Sequence, residues 1–132
     1  MKSNELRIGN WIQFRQETGG IVFVMVDMIT PYSFEASGDE IFHNEKYDED
    51  YQSIPLTPEI LEKAGFVQHH DDCHLQPIYI KKIFGNPPFV WGVYPEVLGG
   101  GVVINDAMQL QYLHQLQNLY FALTGEELPI EL

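Results

Sequence analysis

The sequence predicts an α+β fold, and three observations carry that prediction. The first is the run Ile21-Val22-Phe23-Val24-Met25-Val26-Asp27-Met28-Ile29, rich in β-branched and aromatic residues and bounded by Gly19-Gly20 and Pro31. The second is the helix start Thr57-Pro58. The third is the stretch 107–124, which carries no Asp, Glu, Lys or Arg and is followed by Gly125. Two antiparallel strand segments, one short helix between them and one long helix at the end follow from these signals.

Leu6-Arg7-Ile8-Gly9-Asn10-Trp11-Ile12-Gln13-Phe14 reads as a strand entered through a Gly-Asn turn, and Gln16-Glu17-Thr18-Gly19-Gly20 is turn chemistry. Residues 21–26 are apolar on both faces, which predicts a central strand covered on both sides. Shorter strands are expected around 32–35 and 40–43, giving a small, curled antiparallel sheet of the SH3-like type. Thr57 can cap a helix with Pro58 at its first position, where no amide donor is needed. Leu56 and Leu61 have the spacing of a hydrophobic staple, Glu59 and Lys63 form an i,i+4 pair, and Gly65 supplies a left-handed stop. Residues 75–84 and 89–94 read as strands about the turn Gly85-Asn86-Pro87-Pro88, and Gly99-Gly100-Gly101 leads into Val102-Val103-Ile104. Asp106 is the expected cap of the long helix, with Gln109 completing a capping box and Pro129 preventing resumption beyond Gly125. One domain, 1–132, is expected, with an N-terminal β segment over about 5–54 and the helix, second β segment and C-terminal helix over about 55–132.

An apolar fraction of 45 % with 13 % aromatic residues belongs to a packed chain rather than a disordered one. Met1-Lys2-Ser3-Asn4-Glu5 runs into a polar stretch, so no signal peptide is read, and the longest apolar run falls far short of the ~20 residues of a membrane span. Cys73 stands alone, which rules out an internal disulfide and suits a reducing cytoplasm. Nineteen acidic against seven basic residues, net charge −12, argue against direct nucleic-acid binding, whose affinity comes from cations neutralising phosphates. The acidic residues crowd between Glu35 and Asp50; such a run is a solvated loop or a contact for a basic partner protein.

Candidate chemistry is sparse. In His69-His70-Asp71-Asp72-Cys73-His74, an extended chain would turn His70, Asp72 and His74 to one side, a ligand set that suits zinc. The same run lies between a helix stop and a strand, where a polar connection is expected anyway, and that is the reading adopted. Cys73 and His74 are neighbours that point apart in a strand, so they cannot make a nucleophile–base pair. There is no Gly-x-Ser-x-Gly, no phosphate loop and no calcium loop, so no catalytic residue and no cofactor is assigned.

On the last helix, Met108, Tyr112, Leu113, Leu116, Leu119, Tyr120 and Leu123 form an apolar arc expected to pack as core. The opposite arc holds Gln111, His114, Gln115, Gln117 and Asn118, polar yet uncharged in a strongly acidic chain. Either the acidic loop or the C-terminal tail covers it, or it is a subunit contact, with Gln111, His114, Gln115 and Asn118 meeting their copies in a homodimer.

Three stretches together carry a resemblance: Leu6-Arg7-Ile8-Gly9-Asn10-Trp11, Ile54-Pro55-Leu56-Thr57-Pro58-Glu59-Ile60-Leu61-Glu62-Lys63-Ala64-Gly65-Phe66, and Leu113-His114-Gln115-Leu116-Gln117-Asn118-Leu119-Tyr120-Phe121-Ala122-Leu123-Thr124-Gly125-Glu126-Glu127-Leu128. In this order they resemble a group of small proteins of gut anaerobic bacteria, often found in prophage or mobile-element regions. The resemblance implies a phage-related context and an accessory role, and it transfers no activity or catalytic residue. The function expected is a non-catalytic accessory or protein-interaction module. The alternatives are an acidic decoy for a basic nucleic-acid-processing protein, and a small metal-dependent hydrolytic enzyme built on His70, Asp72 and His74.

Overall fold

Strands form where β-branched and aromatic residues concentrate between turn residues. The computed structural model describes residues 5–36, 39–42, 51–69, 78–83, 86–91, 102–103 and 110–132. The chain is α+β, and its contacts divide it into two compact units: Met1–Pro55 with Tyr112–Leu119, and Leu56–Gln111 with Tyr120–Leu132.

The first unit holds a sheet of five antiparallel strands, β1 (Trp11–Arg15), β2 (Ile21–Ile29), β3 (Ser33–Ala36), β4 (Asp39–Phe42) and β5 (Tyr51–Gln52), in the order β4-β3-β2-β1-β5. The β1–β2 hairpin closes through Gln16 and Gly20, whose N–H···O bond is 2.8 Å, with Gly19 at φ +88°. Its register sets Trp11 opposite Met25, Gln13 opposite Phe23 and Arg15 opposite Ile21. Between Val26 and Met28 the pairing with β3 shifts, leaving Asp27 at a bulge. Leu6, Ile12, Val26, Phe34 and Ala36 form the core, with Val24, Ile29 and Tyr51 packed against it. The Tyr51 ring meets Phe14 at 4.9 Å and Phe34 edge-on at 5.9 Å.

β2 departs from expectation. It is central by pairing, but its two faces are treated differently. Side chains alternate along a strand, and the core takes the face of Val24 and Val26. Ile21, Phe23 and Met25 on the other face stay 55 %, 37 % and 37 % exposed, so the strand is not covered on both sides.

In the second unit, α1 (Pro58–Lys63) has the expected punctuation. Thr57 Oγ1 accepts from the Ile60 N–H at 3.3 Å, Pro58 opens the helix and Gly65 takes φ +87°. Gly65 N–H donates to Glu62 O and Phe66 N–H to Leu61 O, the paired bonds of a Schellman stop. The sheet β6 (Val67–His69), β7 (Ile78–Ile83), β8 (Asn86–Trp91) and β9 (Val102–Val103) pairs in that order. It is antiparallel except for β8–β9, which is parallel with Phe89 opposite Val102. Strand β8 begins at Asn86, inside the stretch read as a turn. A register shift between Lys81 and Ile83 absorbs the two prolines, which cannot donate to a ladder. Phe89, fully buried, meets Tyr120 edge-on at 6.0 Å.

The long helix, α2 (Leu113–Thr124), starts later than the sequence predicts. The proposed cap Asp106 and Gln109 lie outside the described residues, and 110–112 are not helical. Tyr112 instead bridges to Pro55, and Leu113 N–H donates to Ile54 O at 2.8 Å. Gln115 Oε1 then accepts from the Tyr112 N–H at 3.1 Å, the side-chain half of a capping box further along the chain than Asp106 and Gln109. Gly125, at φ +72°, ends the helix as expected.

Candidate functional site

The polar residues of α2 are where the sequence directed attention, and the structure gives them an intramolecular task. His114 and Gln117 lie on the buried side of the helix with Leu113, Leu116 and Tyr120, while Leu123, expected in the core, is exposed. Gln117 and Asn118 of this polar arc are bonded to the segment from Glu5 to Trp11. Gln117 Nε2 donates to Gly9 O at 3.0 Å and its Oε1 accepts from Trp11 N–H at 2.9 Å. Asn118 Nδ2 donates to Glu5 O at 2.8 Å, and its Oδ1 accepts from Asn10 Nδ2 at 2.9 Å and Arg7 Nε at 3.3 Å. Asn10, itself fully buried, accepts from Arg7 N–H at 2.7 Å.

A side-chain amide offers a donor and an acceptor together, whereas a carboxylate only accepts and an ammonium only donates. Serving both a backbone carbonyl and a backbone N–H out of water therefore selects Gln and Asn over Glu and Lys, and explains why this face carries no charge. Of the four residues assigned to a subunit contact, His114 is buried, Asn118 is spent on Glu5, Arg7 and Asn10, Gln115 caps the helix and Gln111 is exposed.

His114 is the one member of this group that the fold leaves unsatisfied. It is fully buried, and neither ring nitrogen has a hydrogen-bond partner. Nε2 lies 3.7 Å from Glu5 Oε2, longer than a hydrogen bond, and the ring stacks on Tyr112 at 5.9 Å. Burial lowers its pKa from the ordinary 6.5, against the opposing pull of the Glu5 carboxylate.

The face with an open partnership is on β1 and β2. Ile21, Phe23 and Met25 form an exposed apolar strip, with half-buried Trp11 across from Met25 and exposed Arg15 across from Ile21. Met28, 40 % exposed, follows beyond the bulge and pairs with Glu35. Exposed Glu17 in the hairpin turn and exposed Asp27 at the bulge flank β2 at its two ends.

No protein-family model, curated protein or solved structure matches the chain. Function has to be argued from these surfaces.

His70, Asp72, His74 and Cys73 lie outside the described residues, as does most of the acidic run. Among the described residues no three His, Cys, Asp or Glu side chains converge as metal ligands, and no helix is long and apolar enough to cross a membrane. The apolar strip on β2 went unread because periodicity cannot say which of two apolar faces is buried. The density of exposed-type neighbours at Glu17 and Asp27 was the available signal.

Proposed function

We propose that this protein is a non-catalytic interaction module whose docking surface is the open face of β1 and β2, and that its partner is a basic protein. The observation that carries the reading is the apolar strip Ile21, Phe23 and Met25 on a strand otherwise built as the middle of a sheet. Contiguous exposed apolar side chains with polar borders are the form interaction surfaces take. Charge selects the partner: Glu17, Asp27 and Glu35 stand around the strip with Arg15, and the chain carries −12 overall, so a basic surface is steered toward it. A cytoplasmic setting accords with the lone Cys73, and an accessory role in a phage or mobile element rests on the three sequence stretches that resemble that group.

The test is a photocrosslinking residue at position 23, expressed in the native host, with adducts identified and the partner then purified. The reading expects a basic protein whose direct binding, measured by calorimetry, weakens at least about tenfold in Phe23→Ser/Met25→Ser. Adducts that form equally at exposed Leu123, or binding indifferent to the double substitution, would overturn it.

A further inference from the structure

The second unit carries a concave site of different character. A pocket of about 460 Å³ opens between the end of α1 and the edge of the β6–β7 pair, lined by Gly65, Val67, His69, Ile80, Lys81 and Lys82. Among the described residues no carboxylate lines it. That is unexpected in a chain with nineteen acidic and seven basic residues, two of which are the adjacent lysines here. Among the described residues neither lysine has a carboxylate within ion-pair distance.

The two lysines are placed by different means. Lys81 Nζ sits 5.8 Å from the centroid of the buried Tyr120 ring, and a Cβ on Gly65 would come within 2.7 Å of it. Glycine at 65 therefore does two jobs: it takes the φ of +87° that stops α1, and it leaves room for an ammonium at the pocket wall. Lys82 is exposed, alternates with Lys81 along β7, and lies on the side of Ile80. Val67, which is 70 % exposed, pairs with Ile80 across the strands and gives the floor an apolar surface.

We propose that this pocket binds a small organic anion, a carboxylate or phosphate attached to an apolar body. The body rests on Val67 and Ile80, the anionic group is held by Lys82 and His69 on that same face, and Lys81, whose Nζ lies against Gly65 at the pocket wall, adds its charge from the rim. Partial burial lowers the pKa of the Lys81 ammonium, so an anion at this position restores an interaction that dehydration has removed. The site shares no residue with the β1–β2 face, and each reading can fail without the other.

Titration of the isotopically labelled full chain, followed by amide NMR, tests it with three probes: 2-naphthoate, the neutral 2-naphthalenemethanol and inorganic phosphate. The expected result is saturable shifts with 2-naphthoate confined to the amides around Gly65, Val67, His69 and Ile80 to Lys82. The neutral alcohol and phosphate each bind at least about tenfold more weakly, since each lacks one of the two contacts. Lys82→Gln, at an exposed position that does not threaten folding, weakens naphthoate several-fold, and Lys81→Gln does the same. The proposal is overturned if naphthoate gives no saturable shift, if the neutral alcohol binds equally, or if both substitutions leave the affinity unchanged.

Discussion

At the scale of single residues, the chain's most unusual choice is an uncharged polar helix face inside an acidic protein. Gln117 shows why it is required: its amide donates to one backbone carbonyl and accepts from one backbone N–H of the Gly9–Trp11 segment while almost fully buried. Gln117→Glu removes the donor and buries a carboxylate, so it should cost about 2–4 kcal/mol in urea unfolding. Gln117→Met, of similar shape, should cost less, because it strands two backbone groups without adding a charge. His114 makes the complementary prediction. Its pKa in the folded protein lies below the unfolded 6.5. Above about pH 6.5 both states are neutral there and stability is unaffected; as pH falls through 6.5 toward the lower folded value, only the unfolded chain takes the proton, so stability declines. His114→Leu should flatten that decline between about pH 7.5 and pH 5.5, and at neutral pH should be neutral or stabilising by about 1 kcal/mol, since it removes two unsatisfied nitrogens. Urea midpoints at the two pH values measure both effects. The sequence marked these residues as exceptional but not their partners. The hydrogen bonds span more than a hundred residues of chain, from Gly9 to Gln117 and from Glu5 to Asn118, and no local pattern encodes such a pairing.

At the scale of elements, legibility follows the range of the forces involved. Helix α1 was readable to its ends because its cap, its first-turn proline and its Schellman glycine act within a few residues. Thr57→Ala should therefore cost about 1 kcal/mol, read as a shift in urea midpoint. The start of α2 was misplaced because Gln111, Tyr112 and Leu113 are committed to Leu56, Pro55 and Ile54, a pairing that overrides the helical propensity of an uncharged stretch. Strand β2 was placed correctly and its exposure incorrectly. Its pattern is apolar on both faces, and only the bulk of the Leu6, Ile12 and Phe34 cluster decides which face is core. Two substitutions separate the faces. Val26→Asp places an unpaired charge at a fully buried site and should cost several kcal/mol, on the order of 3–5. Phe23→Asp, on the opposite, exposed face, should change the melting temperature little. Equal losses from both would mean that β2 is covered on both sides after all.

At the scale of the whole molecule, the apolar strip and the net charge act against each other. An exposed strip of Ile21, Phe23 and Met25 on a paired, twisted sheet invites self-association. The chain's −12 opposes it, because two copies approaching face to face bring like charges together. On this account the acidity is what keeps the docking face available to a basic partner rather than to another copy. The balance is testable by titration, since the isoelectric point is near 4.5. As pH falls from about 7.5 toward that value the repulsion vanishes while the apolar strip is unchanged, so light scattering should report growing association before tertiary structure, followed by near-ultraviolet circular dichroism, is lost. Added salt at neutral pH should move the protein in the same direction by screening. Phe23→Ser/Met25→Ser should suppress the association at every pH without altering net charge. If wild type and double variant associate alike, the association comes from unfolding or from another surface, and the strip is not what the charge protects.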